Sequence, residues 1–339
     1  MHDIRLSICI PTYNFGNFIA ETLYSILSQI DGNEIEVVVV DGASTDNTPE
    51  VMREILQKYP QLKYYRLDKR GGIDVDMAKS VDLAIGDYCW LFSSDDLMIP
   101  GALKKVLDEI KYGYDIYVCK HLNCSLDMKH VINEHPVLNT TEDTFFDFSN
   151  PLERSRYFEL AQTTEAFFSF MSGIIINRSK LNSIPLDDRF IGSCWAHVAR
   201  IFVLMKGGFT LKYLASPYLK KRYGNDSFAD KGLVNRLRIG IDGYHRLGDV
   251  FFGHRSVEAF HLRRLIRNEI PLRMFIHTKL LCKENPALED ANLLDALVRK
   301  TYGDCFVKYI IFRMFPIRLY SAMRQTYKYG RAKLAPKRI

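Results

Sequence analysis

Asp95 and Asp96 follow the apolar run Tyr88-Cys89-Trp90-Leu91-Phe92, separated from it by Ser93-Ser94. Such a run reads as a buried strand, and in an open α/β sheet ligands bind at the carboxyl edge of the strands. Hard carboxylate oxygens there suit Mg²⁺ or Mn²⁺, which keep coordination positions for substrate phosphates. The same acids could instead cap the helix opened by Pro100-Gly101-Ala102-Leu103. Three further polar segments bear on the choice. Pro11-Thr12-Tyr13-Asn14 follows apolar residues 6–10, Asp41-Gly42-Ala43-Ser44-Thr45-Asp46 follows 35–40, and Gly71-Gly72-Ile73-Asp74 follows 62–67. Each alone is ordinary turn chemistry. Four at successive strand ends would converge on one crevice. Neither G-x-x-x-x-G-K-[ST] nor G-x-G-x-x-G occurs, so neither a P-loop nor a dinucleotide fold is indicated.

The elements that must position these segments alternate. Strands are expected at 6–10, 35–40, 62–67, 88–92 and 115–119, with helices at 18–27, 45–59, 74–84 and 100–110 between them. That alternation predicts an α/β fold: a mostly parallel, Rossmann-like sheet with helices on both faces. From 121 to 165 polar and aromatic residues mix, as in a variable connection carrying part of an acceptor site. Strands return at 173–177 and 209–214, bracketing a helix in the middle of 190–207. Past 228 the pattern is helical.

Of 339 residues, 47% are hydrophobic and 25% charged, which excludes a disordered chain. The net charge of +6 is uneven: residues 1–120 hold 12 Lys/Arg against 19 Asp/Glu, and 121–339 hold 34 against 21. An acidic front half suits a metal; a basic rear half suits phosphate groups or an anionic membrane. The seven cysteines have no zinc-ligand spacing and read as reduced core residues of a cytoplasmic protein. Met1-His2-Asp3-Ile4-Arg5 leads straight into a strand, leaving no room for a signal peptide, and no run is long enough for a transmembrane helix. From Cys305 onward there are nine Lys/Arg and no Asp or Glu, interleaved with Ile310-Ile311-Phe312, Met314-Phe315, Ile317 and Leu319-Tyr320. This reads as an interfacial helix on an anionic bilayer, with a solvated basic tail as the plainer reading.

Taken together, residues 7–14, 40–48, 72–79 and Gly86-Asp87-Tyr88 through Asp96 resemble the family 2 glycosyltransferases of GT-A fold. Gly72-Ile73-Asp74-Val75-Asp76-Met77-Ala78-Lys79 and Gly192-Ser193-Cys194-Trp195-Ala196-His197 are most similar to the abequosyltransferase group, which adds a dideoxyhexose to a lipid-linked O-antigen intermediate. The resemblance implies an inverting, metal-dependent transfer from a nucleotide-sugar, with CDP-abequose as one such donor, on the inner face of the bacterial cytoplasmic membrane. It implies a GT-A domain over 1–225, with the nucleotide-sugar half at 1–120 and the acceptor half at 121–225. A helical, basic region follows at 226–339. Pro11, Thr12 and Tyr13 would border base and ribose, Asp41 would accept a hydrogen bond from the base, and Ser44, Gly72 and Asp74 would line the donor site. Asp95 would approach the ribose or sugar, and Asp96 would bind the Mg²⁺ or Mn²⁺ that bridges the diphosphate.

Two segments depart from the family pattern. Trp195-Ala196-His197 stands where relatives carry an acidic pair as base. His197 is therefore the first candidate base, Asp188 the second, and Asp74 or Asp76 come after; His197 could equally be a hydrogen-bonded packing residue. Arg222-Tyr223-Gly224-Asn225 stands where relatives carry an Arg and a metal-binding His, leaving Arg222 to pair with phosphate and Asn225 as an oxygen ligand. Competing readings are a nucleotidyltransferase, whose Gly-rich basic first loop is missing, and a non-catalytic basic protein of membrane surfaces. No nucleic-acid-binding motif occurs, so nucleic acid is not an expected partner.

Overall fold

The computed structural model describes residues 4–225, 228–303 and 305–316. They form two compact units, residues 4–225 with 250–253, and residues 228–249 with 254–316.

The first unit begins with the expected alternation: β1 (Leu6–Thr12), α1 (Ile19–Leu27), β2 (Ile35–Asp41), α2 (Thr48–Lys58), β3 (Lys63–Arg66), α3 (Ile73–Asp82), β4 (Tyr88–Leu91), β5 (Leu97–Met98), α4 (Ala102–Glu109) and β6 (Ile116–Cys124). After it come β7 (Val131–Glu134), β8 (Thr144–Asp147), α5 (Pro151–Leu160), β9 (Ile174–Asn177), α6 (Arg178–Asn182), α7 (Ala196–Gly207) and β10 (Thr210–Arg222). The strands make one sheet in the order β3-β2-β1-β4-β9-β6-β10-β5, with β7 beside β6 and β8 beside β10.

Alternation of side chains along the buried strands gives two apolar faces. Leu6, Ile8 and Ile10 of β1 share a core with Val37, Val39 and Trp90, and with Leu23, Met52 and Val106 of α1, α2 and α4. On the opposite face α3 lies against β1 and β2, with Met77 and Val81 buried. Helices thus cover both faces, as expected.

The sheet is parallel from β3 to β4 and again between β6 and β10, but β9 runs antiparallel between β4 and β6. The chain enters β9 at the carboxyl edge, where Ile174 pairs with Leu91, so it can only run back. β10 continues eight residues past the expected end at 214, to Arg222, because a register shift on either side of Pro217 absorbs the missing amide donor. The strand expected from the sequence stops at 214; the sheet does not.

The second unit is helical, as the residues past 228 predict: α8 (Gly232–Phe251), whose last two residues lie in the first unit, α9 (Val257–Glu269), α10 (Leu272–Glu284), α11 (Ala291–Tyr302) and α12 (Phe306–Met314). Glu289 closes the start of α8 by accepting hydrogen bonds from the Leu233 and Val234 amides at 2.8 Å. α12 buries Phe312 but leaves Phe306 70% and Met314 78% exposed, with Val307 and Ile311 also exposed. Among the described residues no helix is long and apolar enough to cross a membrane. The cysteines are all free thiols, and five of the seven are buried.

Candidate active site

The four polar segments meet at the carboxyl edge of the sheet. Thr12 pairs with Asp41 and Asp41 with Arg66 in register across β1, β2 and β3, and the Phe92 amide continues β4 by donating to the Cys9 carbonyl. Asn14, at φ 58°, stitches the first two loops together. Its amide donates to Ser44 Oγ at 2.9 Å, and its Oδ1 accepts from the Thr45 amide at 2.7 Å. An Asn tolerates the left-handed backbone that lets both contacts form.

Asp41 is fully buried, yet well satisfied: Oδ1 accepts from the Ser44 amide at 2.8 Å and Oδ2 from Tyr64 Oη at 2.6 Å. Arg66 Nε lies 3.8 Å from the same carboxylate. Asp76 is wedged behind this loop. A Cβ on Gly42 would meet its Oδ2 at 2.3 Å and one on Gly71 its Oδ1 at 2.5 Å, so a side chain at either position would displace the Asp76 carboxylate. Burial raises the Asp76 pKa, and the carboxylate of Asp41 adds to the shift. Arg70 stacks on the Tyr13 ring, 3.9 Å from its centre. Gly72, at φ 84°, turns the chain into α3.

Asp95 and Asp96 sit side by side and buried. Asp95 accepts from Ser93 Oγ on one oxygen and from Asn225 Nδ2, at 2.8 Å, on the other. Asp96 accepts from Ser172 Oγ at 2.6 Å and from the Arg222 amide at 3.1 Å. Burial, then the charge of Asp95, pushes the Asp96 carboxyl up to about 8. Two carboxylates crowded into a dry corner are held apart in charge only by a proton or a bound cation.

Arg222 is placed differently from the phosphate partner expected of it. Its guanidinium is buried, donating to the carbonyls of Asp95 (3.0 Å) and Leu126 and to Glu21 Oε2 (2.6 Å), with Phe18 beneath it. It braces the loop that carries the acids. Asp74 is also spent internally: it accepts from the amides of Gly192 and Cys194 on Oδ2 and of Ala196 on Oδ1, at 2.9 to 3.0 Å. Those three bonds set the start of α7 and so fix His197, its second residue. His197 Nε2 meets the Phe168 carbonyl at 3.0 Å, a contact that requires the hydrogen on Nε2 and leaves Nδ1 as the acceptor. Burial lowers its pKa despite the nearby Asp74, so the ring is neutral. Asp188 lies exposed in the loop before α7, beside the Asp187–Arg189 pair.

The turn at 163–173 is what the sequence did not reveal. It presents the Phe168 carbonyl to His197 and Ser172 to Asp96, while the Ser172 carbonyl accepts from Trp90 Nε1 at 2.8 Å. Tyr64 was equally hidden; its only signal is its alternation with Tyr65 in a short strand.

The model of the family "Glycosyl transferase family 2" matches residues 7–178, which include all four strand-end segments and Ser172. An abequosyltransferase of Salmonella typhimurium is 33% identical over 253 residues, 73% of this chain and 75% of the relative. The chain belongs to glycosyltransferase family 2. A dolichol-phosphate mannosyltransferase of Pyrococcus furiosus is 32% identical over 115 residues, 34% of this chain and 32% of the relative. Among solved structures, TarS 1–349 of S. aureus superposes with a TM-score of 0.59 at 17% identity, covering 96% of this chain and 92% of that one. A mannosyltransferase of Pyrobaculum calidifontis, in complex with GDP-Man and Mn²⁺, gives 0.51 at 16% identity, covering 100% and 89%. This transferase therefore has the α/β GT-A architecture, followed by a helical C-terminal region.

Proposed function

We propose that this family 2 transferase uses a divalent cation to move a sugar, with inversion, from a nucleotide-sugar to a lipid-linked surface-glycan intermediate. The observation that carries the reading is the buried, side-by-side Asp95–Asp96 pair, in which burial first and the charge of Asp95 second raise Asp96 to about 8. All-oxygen donors facing a strand-edge crevice fit Mg²⁺ or Mn²⁺. Asp96 would hold the ion, with Asp95 and the Asn225 amide oxygen beside it. When bound, the ion supplies charge neutralisation for a departing nucleoside diphosphate.

The remaining work falls to the chain. Pro11, Thr12 and Tyr13 border the base and ribose, Asp41 accepts from the base, and Ser44 and Gly72 shape the loops around them. Asp76, behind Gly42 and Gly71, keeps that wall from moving. Inversion needs one displacement: the acceptor oxygen bonds to the anomeric carbon as the carbon–phosphate oxygen bond breaks, and the hydroxyl proton must leave. Neutral His197, with Nδ1 as acceptor, is the residue we assign to take it. Asp74 orients α7 for that purpose. The likeness to a Salmonella abequosyltransferase favours a CDP-dideoxyhexose donor such as CDP-abequose, and an O-antigen-type acceptor. The exposed apolar residues of α12 among Lys308 and Arg313 favour a site at an anionic membrane surface on the cytoplasmic side. The rest of the basic stretch, 317–339, lies outside the described residues.

Thermal shift against a panel of CDP-, UDP- and GDP-sugars and nucleoside triphosphates, with and without Mn²⁺, tests this reading. A nucleotide-sugar that stabilises the protein more strongly with Mn²⁺ is expected. Stabilisation by a triphosphate alone would instead support a nucleotidyltransferase.

A further inference from the structure

Around Lys221, the residue before Arg222, lies a second polar cluster, which the reaction above does not use. His121 of β6, His135 just after β7 and Glu165 of the 163–173 turn bring His121 Nδ1, His135 Nε2 and Glu165 Oε2 within 4.8 Å of one another. All three atoms are buried and none has a hydrogen-bond partner. Nδ1 of His121 is 3.2 Å and Nε2 of His135 3.4 Å from Oε2. These are hydrogen-bond distances without hydrogen-bond alignment.

Neighbouring vertices of a metal polyhedron have that property, because each lone pair aims at the centre and not at the next ligand. With bonds of about 2.0–2.2 Å, such vertices stand about 3.0–3.4 Å apart. The far nitrogens support the same conclusion. His121 Nε2 meets Asn123 Oδ1 at 3.2 Å, and His135 Nδ1 meets Nδ2 of the same amide at 3.3 Å. One amide offers one donor end and one acceptor end. Whichever way it is turned, one neutral imidazole must face Glu165 with a lone pair and the other with an N–H. The lone pair turned to the carboxylate meets no donor, and a bound cation would satisfy both.

The surroundings are built for rigidity. The two imidazoles stack at 4.7 Å and 15°, Phe170 packs on His121 at 4.5 Å, and Lys221 Nζ holds the other carboxylate oxygen, Oε1, at 3.0 Å. Asn123 Oδ1 thus orients His121, and Lys221 orients Glu165, from outside, as partners of metal-binding side chains do, while His135 ligates in the tautomer that carries its hydrogen on Nδ1.

We propose that His121, His135 and Glu165 form a binding site for a zinc-class divalent ion, distinct from the Asp95–Asp96 corner. Two imidazole nitrogens and one carboxylate select Zn²⁺ over Mg²⁺, whereas the all-oxygen corner selects the reverse. The ion ties β6 and the end of β7 to the turn that carries Phe168 and Ser172, so it has a structural part in setting the transfer site.

The full chain, stripped with a chelator and reconstituted with Zn²⁺, is counted for metal by mass spectrometry after gel filtration. One equivalent per chain is expected in the wild type and in Asp96→Asn, and none in His135→Ala or Glu165→Gln. Co²⁺ added to the stripped wild type should give a visible d–d absorption that Zn²⁺ erases, a readout independent of whether the variants fold. A wild type that retains no Zn²⁺ and shows no Co²⁺ band overturns the site, as does retention of the full equivalent by folded Glu165→Gln and His135→Ala. Neither result bears on sugar transfer, which the nucleotide panel reads separately.

Discussion

Ser172 Oγ donates to Asp96 Oδ2 at 2.6 Å, joining a serine outside the regular strands to the second acid of the buried pair. Ser172→Ala leaves that oxygen without its donor in a dry corner, at a cost of about 1–3 kcal/mol. The expected result is a lower Tm and a lower kcat, with metal-free nucleotide binding intact. Asp96→Ala should abolish both turnover and the Mn²⁺-dependent gain in donor binding. A metal gain that persists in Asp96→Ala, measured by calorimetry, would remove Asp96 from the cation site.

Asp41 should act on the nucleotide alone. Asp41→Ala is expected to weaken binding equally with and without Mn²⁺. Tyr64→Phe removes the hydroxyl that fixes its Oδ2 and should weaken binding in the same direction by a smaller factor. Titrations of free nucleotide against both variants check the order.

Arg222→Lys keeps the charge but loses the planar fork that reaches Asp95, Leu126 and Glu21 at once. Stability should fall by on the order of 3 kcal/mol, and kcat with it, because the acids lose their brace. A stable Arg222→Lys with only a raised donor KM would place the side chain on phosphate after all.

His197 sets a pH signature. Burial holds its pKa below the usual value of about 6.5, so with His197 as the proposed base the acid limb of kcat is expected below that value. Unfolding frees the ring to take a proton, so stability falls as pH drops through about 6.5. His197→Ala should lose about 10²–10⁴-fold in rate with donor affinity little changed. If Asp188→Asn is the inactive variant and His197→Ala turns over normally, the roles are reversed.

Deleting residues 305–339 should release the protein from anionic vesicles in sedimentation at low salt, each basic residue near the surface being worth roughly 1 kcal/mol. Full-length protein that ignores such vesicles would refute the membrane assignment.

Much of the fold was legible because buried strands and amphipathic helices carry their periods in short windows, as residues 6–10 and 48–58 do. The strand-end acids were legible for the same reason. What stayed hidden depends on contacts far apart in sequence. Nothing near Ser172 announces Asp96, nothing near Arg222 announces Glu21, and nothing in Ile174–Asn177 says which way the strand runs. The strand expected to end at 214 runs on past Pro217, since a bulge is a property of the pair of strands and not of either one.

The three amides that Asp74 occupies have a further consequence. A helix start is ordinarily a ready seat for an anion, since its free N–H groups carry about half a unit of positive charge. At α7 the first of those groups, the Ala196 amide, is already taken by a carboxylate 118 residues before Gly192 in the chain, which also holds the Gly192 and Cys194 amides just ahead of the helix. In the proposed reaction a diphosphate arriving in the crevice would meet the charge of this carboxylate at the helix end and be repelled from it. In the proposed reaction the start of α7 would then be left to a neutral partner such as a sugar hydroxyl, and charge alone would sort the two substrates.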